Sequence, residues 1–382
     1  MPDSVKNAPV ALVKCDDYTP ARVDKALERA LGLVGGMADL IKPGMRVLVK
    51  CNMVMRKSPD AAATTHPEVA RAVCAAVRAL GAAPIIGDSP GGPLRAALLK
   101  SYYSGTGLAE AAQRSGAELS LDTAQGFRNC PEGVELKRMD ITNMANSADA
   151  VISCSKLKTH GMTLMTGCVK NLFGCVPGTT KVEYHARFNQ LSRFSNMLVD
   201  IERCVRPVIS VLDAVDGMEG EGPSGGTPRH IGALLVSRDA HALDSVGARL
   251  IGLEPKDVCT LARAMERGLL DLNKVEVVGD SVDDIAVHDY VYPHAARDIK
   301  LYSTTPIIGR FINAVTMPHP AYDKSKCVKC GICARSCPAK AIELAPYPKA
   351  ALNKCIRCFC CQELCPQRAV EVKKSIMRHF IR

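Results

Sequence analysis

Across residues 8–289, short apolar runs alternate with longer stretches in which apolar positions recur at helical spacing. RVLVKC (Arg46–Cys51) and APIIG (Ala83–Gly87) read as strands, with a helix over 66–80 between them. Further strands are expected at 148–153, 208–213, 231–236 and 275–278, and helices at 240–251 and 255–267. Strands alternating with helices predict an α/β body over residues 1–289, with a mostly parallel sheet, flanking helices and two lobes around a cleft as one arrangement. Parallel sheets place ligands at the carboxyl ends of their strands. Two Gly-rich stretches, DSPGG at 88–92 and GMEGEGPSGG at 217–226, follow predicted strands and so mark ligand-facing loops. Residues 290–320, with four prolines, read as a linker to a smaller unit over 321–373, followed by a basic tail, 374–382.

Composition narrows the class. Hydrophobic residues make up 47% and charged residues 23%, the balance of a folded globular protein. No apolar run of membrane-spanning length is present, and the first ten residues lack the apolar core of a secretory signal, so a cytoplasmic protein is expected. Eighteen cysteines would suggest disulfides in a small secreted chain. Here half of them lie at or after Cys327, at metal-ligand spacings, which points instead to metal in a reducing compartment.

The spacing is specific. Cys327, Cys330, Cys333 and Cys337-Pro338 repeat as Cys355, Cys358, Cys361 and Cys365-Pro366, each the pattern C-x2-C-x2-C-x3-C-P. Three thiolates two residues apart wrap one face of a 4Fe-4S cubane, and the fourth, before proline, reaches the other cluster. Two clusters are therefore expected, one held by Cys327, Cys330, Cys333 and Cys365, the other by Cys355, Cys358, Cys361 and Cys337. Structural zinc uses separated C-x2-C pairs rather than repeated triplets. Cys360 falls outside the spacing and reads as a spare thiol. Residues 321–373 resemble the bacterial two-4Fe-4S ferredoxins, which implies a small α+β module and electron transfer.

That module also carries the charge. The chain is +10 overall, but residues 323–382 hold 13 Lys and Arg against four acids, an excess of +9. Two thiolate-bound clusters at about −2 each would leave the module near +5. An acidic redox partner protein is the expected complement. Nucleic acid is not, because the basic tail lacks interleaved aromatics for base stacking.

The body has its own chemistry-bearing segment. Lys156, Lys158 and His160 alternate after a predicted strand, and Lys170 and Asn171 follow in TGCVKNLFGCVPG, with Lys181 and His185 beyond. Alternate basic side chains beside Gly-rich backbone suit a phosphate or carboxylate, with His160 or His185 able to move protons near neutral pH. A solvated basic strand end is the competing reading. Asp213, read as a strand end, with Asp216, Glu219 and Asp244, supplies carboxylates for acid-base work or a divalent metal, or for helix caps. Cys154, Cys168 and Cys175 match no cluster loop and read as buried thiols.

Several of these segments, with THPEVARAV (65–73), GDSPGG (87–92) and DAHALDSVGARLIGLEP (239–255), resemble the DUF362 family over roughly residues 8–285. That resemblance implies a body often fused to a ferredoxin tail but no particular reaction. TGCVKNLFGCVPG followed by His185 is similar to a Gly-Lys-Pro-Gly segment of the LarA-type racemases, which implies a two-domain α/β layout with a cleft. Two functional classes follow. One is a ferredoxin-type electron-transfer protein, as a ferredoxin-dependent oxidoreductase of anaerobic metabolism or a subunit of one. The other is a ligand-binding or sensor protein with structural or regulatory clusters.

Overall fold

A computed structural model describes residues 8–293 and 318–373. The expected linker lies largely, and the basic tail wholly, outside the described residues. The body is built on a nine-stranded mixed sheet formed by β1 (Val10–Lys14), β2 (Arg46–Cys51), β3 (Ala83–Gly87), β4 (Glu118–Leu119), β7 (Ala150–His160), β8 (Leu164–Thr166), β9 (Ile209–Glu219), β10 (Thr227–Ser237) and β11 (Val277–Gly279). A separate antiparallel ribbon joins β5 (Gln125–Asn129) to β6 (Arg138–Thr142). The sheet order is β11-β1-β10-β9-β7-β2-β3-β4, with β8 paired to β7. The block from β4 through β9 is parallel, whereas β10 pairs antiparallel with both β9 and β1.

Both faces of the sheet are covered, and the strand period sorts side chains between them. In β1, Ala11 and Val13 join one core while Val10 and Leu12 join the opposite one. In β2, Val47 and Val49 face the first core and Leu48 a third cluster. Helix Pro20–Leu33 begins on a proline and buries Val23, Ala26, Leu27 and Ala30, one stripe at helical spacing. Helix Leu191–Val205 covers the other side with Phe194, Met197, Leu198 and Ile201. Removing one such fully buried Leu or Ile to Ala costs about 2–5 kcal/mol.

Two strands run longer than their apolar pattern suggests. β7 extends through Lys156, Lys158 and His160, every residue of it buried, and β9 continues past Asp213 to Glu219. Asp213 is therefore inside a strand rather than at its end. The stretch 217–226 is the end of β9, which pairs parallel with β7, and the turn of a hairpin into β10; Pro223 of that turn lines the cavity described below. Polar residues in these strands are stabilised by one another, which an apolar-run criterion does not register.

The small unit pairs β12 (His319–Tyr322) with β15 (Val370–Lys373), and β13 (Ile342–Glu343) with β14 (Lys349–Ala350). Single-turn helices carry the third cysteine of each triplet, at Ile332–Arg335 and Cys360–Glu363. Cys130 and Cys204 are joined as a disulfide, tying the β5–β6 ribbon to helix Leu191–Val205. The expectation of thiols and metal ligands only does not extend to this pair, whose partners are far apart in sequence.

Candidate functional site

A cavity of about 110 Å³ lies where the body meets helix Cys360–Glu363 of the small unit. One buried water needs roughly 10–15 Å³, so the space suits a small organic or inorganic anion with some water rather than a nucleotide. Its body side presents Lys50 from β2, Lys158 from β7, Lys170 and Asn171 from the turn Cys168–Asn171, and Lys181 and His185 from helix Gly178–Arg187. Its far wall is Cys360, Glu363 and Leu364.

The local sequence explains how these groups are held. Asp244 accepts hydrogen bonds from the amides of Cys168 (2.6 Å) and Val169 (3.0 Å), fixing the turn that carries Lys170 and Asn171. Asp88 of DSPGG pairs with Lys50 at 2.8 Å and accepts the amides of Met53 and Ser89. Gly174 is required where it is, since a Cβ there would collide with the Lys50–Asp88 pair. Asn171 accepts from Lys50 (3.0 Å) and Asn52 (3.3 Å) and donates to Lys50 O and Ser153 Oγ, so its amide is committed to positioning. Lys158 donates to Asn52 Oδ1 (2.7 Å) and to Ala63 O, and Lys181 to Ser89 O. Among the described residues Lys170 has no hydrogen-bond partner of its own.

Electrostatics make the cavity short of negative charge. Burial pulls Lys158 well below the usual lysine range, and neighbouring Lys170 adds to this against Asp88 and Glu363. Burial also lowers Lys170, and lowers Lys181 to about 8 despite Asp88. His160 is lowered to about 4 by burial and by Lys170, and His185 to about 4 mainly by burial. His160 Nδ1 accepts from the amides of Met162 and Thr163, which leaves the proton of the neutral ring on Nε2. That Nε2 lies 3.0 Å from Glu363 Oε1, close but poorly aligned for a hydrogen bond. Burial acts to raise Glu363, yet attraction to His160 and Lys170 outweighs it and leaves the carboxyl at about 2. Three buried polar atoms on the wall, Ser89 Oγ, Thr166 Oγ1 and His185 Nδ1, have no hydrogen-bond partner. Unpaired buried polar atoms cost about 1–3 kcal/mol each, a cost that a polar ligand or water at the wall would offset.

The expected site residues thus separate. Lys158, Lys170, Asn171 and His185 converge on the cavity, with His160 behind its far wall. Lys156 and Asp213 do not. They form a buried pair at 2.6 Å, with Tyr18 OH donating to Asp213 (2.9 Å) and accepting from Lys156 (2.8 Å). His66 N also donates to Asp213. Breaking such a buried pair costs about 3–5 kcal/mol, so it holds β7 to β9 at this register. Asp216 pairs with exposed His230 and Glu219 accepts Val291 N, both away from the cavity. The acids that do reach it are Asp88 and Glu363. Glu363 sits inside the second cysteine motif, and that placement was the readable signal. Cys154, Cys168 and Cys175 are buried, and burial lifts Cys175 to about 11, which keeps its thiol protonated and unreactive.

In the small unit, Cys327, Cys330, Cys333 and Cys365 line one cavity, and Cys337, Cys355, Cys358 and Cys361 line another. Among the described residues no three His, Cys, Asp or Glu side chains come close enough to hold a single metal ion. A mononuclear site, with bonds of about 2.3 Å, would gather its sulfurs tightly. Tetrads ringing a cavity fit a cubane instead. The halves also match in backbone. Lys329 and Arg357, Gly331 and Phe359, and Lys340 and Arg368 all adopt left-handed conformations. Ala341 N and Ala369 N each donate to the fourth sulfur of their half, at 3.3 Å. Non-glycine residues in that region cost about 1–3 kcal/mol, and both halves carry that cost at equivalent positions.

A two-face-covered α/β body carrying an iron–sulfur module defines the class. The chain belongs to the DUF362 family, a domain of unknown function, whose model matches residues 47–249. A 4Fe-4S binding domain matches residues 320–343, which supports an iron–sulfur electron-transfer role. The chain is 34% identical over 265 residues to the "Thylakoid-associated protein sll1697" of Synechocystis sp., covering 68% of this chain and 79% of that protein. Among solved structures, the lactate racemase apoprotein of Thermoanaerobacterium thermosaccharolyticum overlaps at a TM-score of 0.39 and 12% identity, covering 64% of this chain and 58% of that one. An overlap that low carries no argument about activity. No helix among the described residues is long and apolar enough to cross a membrane.

Proposed function

We propose that this protein passes electrons through two 4Fe-4S clusters to a reducible group of a small carboxylate- or phosphate-bearing molecule held in the lysine cavity. The observation that carries the reading is that Cys360 lines both the cavity of the second cysteine tetrad and the lysine cavity. An electron leaving the second cluster therefore has the anion site across one side-chain layer. When bound, the clusters supply electrons one at a time. The protein's own residues do the rest. Lys158, Lys170 and Lys181 bind and orient a carboxylate or phosphate group, with Asn52 and Ala63 O holding Lys158, Ser89 O holding Lys181, and Asn171 and Asp88 holding neighbouring Lys50. Lys181, poised at about 8, exchanges a proton at Nζ near neutral pH, and the His160–Glu363 contact closes the wall against water. Electrons reach the clusters from an acidic carrier protein.

The test uses anaerobically purified protein with both clusters present. Lys158→Ala and His160→Ala should each weaken sulfate binding at least tenfold while iron content stays at the wild-type level. Unchanged binding in both variants would move the site elsewhere. Binding that is lost while reduced clusters remain inert toward every bound anion would favour the sensor reading.

A further inference from the structure

The two tetrads do not have equivalent surroundings. The second is turned toward the body: Phe359 and Cys360 are 5% and 4% exposed, and Leu364 packs toward Gly91 of the body. The first opens outward. Cys330 is exposed, and Val328 and Leu344, which line the same cavity, are 61% and 45% exposed. Large apolar side chains left in water beside a redox group indicate a contact surface.

The charge around that apolar rim is mostly basic. Lys329 and Lys324 both lie over the ring of Tyr347, at 4.3 and 5.8 Å, and Arg335 lies against Gly331 beside Leu344. Nearby acids are largely engaged, since Asp323 and Glu371 both pair with Lys326. Exposed Glu343 is the acid next to the rim. Basic groups around an apolar centre are complementary to an acidic protein surface and speed its encounter.

We propose that electrons enter through the first cluster, at a docking face formed by Val328, Leu344, Lys324 and Lys329. The partner is a small acidic electron-carrier protein. One electron leaves the carrier's own redox centre, which is oxidised, and reduces the cluster of Cys327, Cys330, Cys333 and Cys365. It then moves to the cluster of Cys337, Cys355, Cys358 and Cys361, beside the anion cavity. This inference rests on the two-cluster reading, but its test does not involve the anion site, so the two can fail separately.

The experiment is stopped-flow reduction of the anaerobic holoprotein by two donors, a reduced acidic 2Fe-2S ferredoxin and the methyl viologen radical cation. With ferredoxin, the second-order rate should fall steeply as salt rises. Lys324→Glu with Lys329→Glu should lower it at least tenfold at low salt, and Val328→Ser should lower it at all salt concentrations. With methyl viologen these variants should reduce as fast as wild type or faster, which together with unchanged iron content shows intact clusters. Lys25→Glu, an exposed charge reversal on the body, should leave the ferredoxin rate unchanged. The proposal is overturned if the wild-type rate ignores salt, if the double variant stays within twofold of wild type, or if neither the ferredoxin nor an acidic flavodoxin reduces the protein.

Discussion

Lys181→Met tests whether the cavity binds anions through lysines that titrate near neutrality. Burial places Lys181 at about 8, so at pH 7 most of it carries charge and at pH 9 most does not. A sulfate oxygen about 4 Å from that ammonium would gain about 4 kcal/mol at an effective dielectric constant of about 20. Measured hydrogen bonds to charged groups return less, about 1.5–3 kcal/mol. Methionine should therefore weaken sulfate binding at pH 7 by roughly 10- to 150-fold. The sign with pH follows from the same group. Below about 8 the lysine is already protonated and affinity is full. Above that, binding must draw a proton from solution, and affinity should fall by up to about tenfold per pH unit. Calorimetry in two buffers of different ionisation heat should show close to half a proton taken up by Lys181 at about pH 8. Sulfate stays dianionic throughout, so the protein alone supplies the dependence. In Lys181→Met this part of the proton uptake should vanish. Wild-type affinity that is flat from pH 7 to 9, or a variant that binds as tightly as wild type, would refute the reasoning.

His185→Phe should alter the pH dependence of stability rather than stability alone. Buried His185 accepts a proton only near 4, whereas in the unfolded chain it does so near 6.5, so its contribution is lost as pH falls through that window. The unfolding free energy of the variant, from urea titrations followed by circular dichroism, should be shallower with pH by about 1.2 kcal/mol per unit near pH 5, and equal slopes would contradict this. Cys360→Ser should retain roughly eight iron atoms per chain, and loss of four would identify Cys360 as a ligand.

Some of this was legible in the sequence for physical reasons. Cluster ligation is set by local spacing, and each of the two cysteine sets expected from it lines a cavity of its own. The parallel strands β2 and β3 and the helix between them were visible because their cores are apolar on a regular period. The lysines were visible as a group but not as two groups. Lys156 and Lys158 share a side of β7 yet stand about 6.6 Å apart along it. One meets Asp213 across the pair of strands, the other opens on the cavity. Asp88 was marked only as part of the loop 88–92, and Lys50 and Glu363 escaped notice because each reaches the cavity through contacts between segments distant in sequence. Glu363 in particular gains its meaning only when the small unit packs on the body and faces His160.

The central claim is that a small anion in the lysine cavity accepts electrons from the clusters. Its most direct test is electron paramagnetic resonance of the anaerobically reduced protein, before and after adding back the small anion identified by mass spectrometry in the purified holoprotein. The account predicts that the reduced-cluster signals of the wild type disappear on addition and that those of Lys158→Ala persist. Signals that persist in the wild type while the anion is shown to be bound would contradict it.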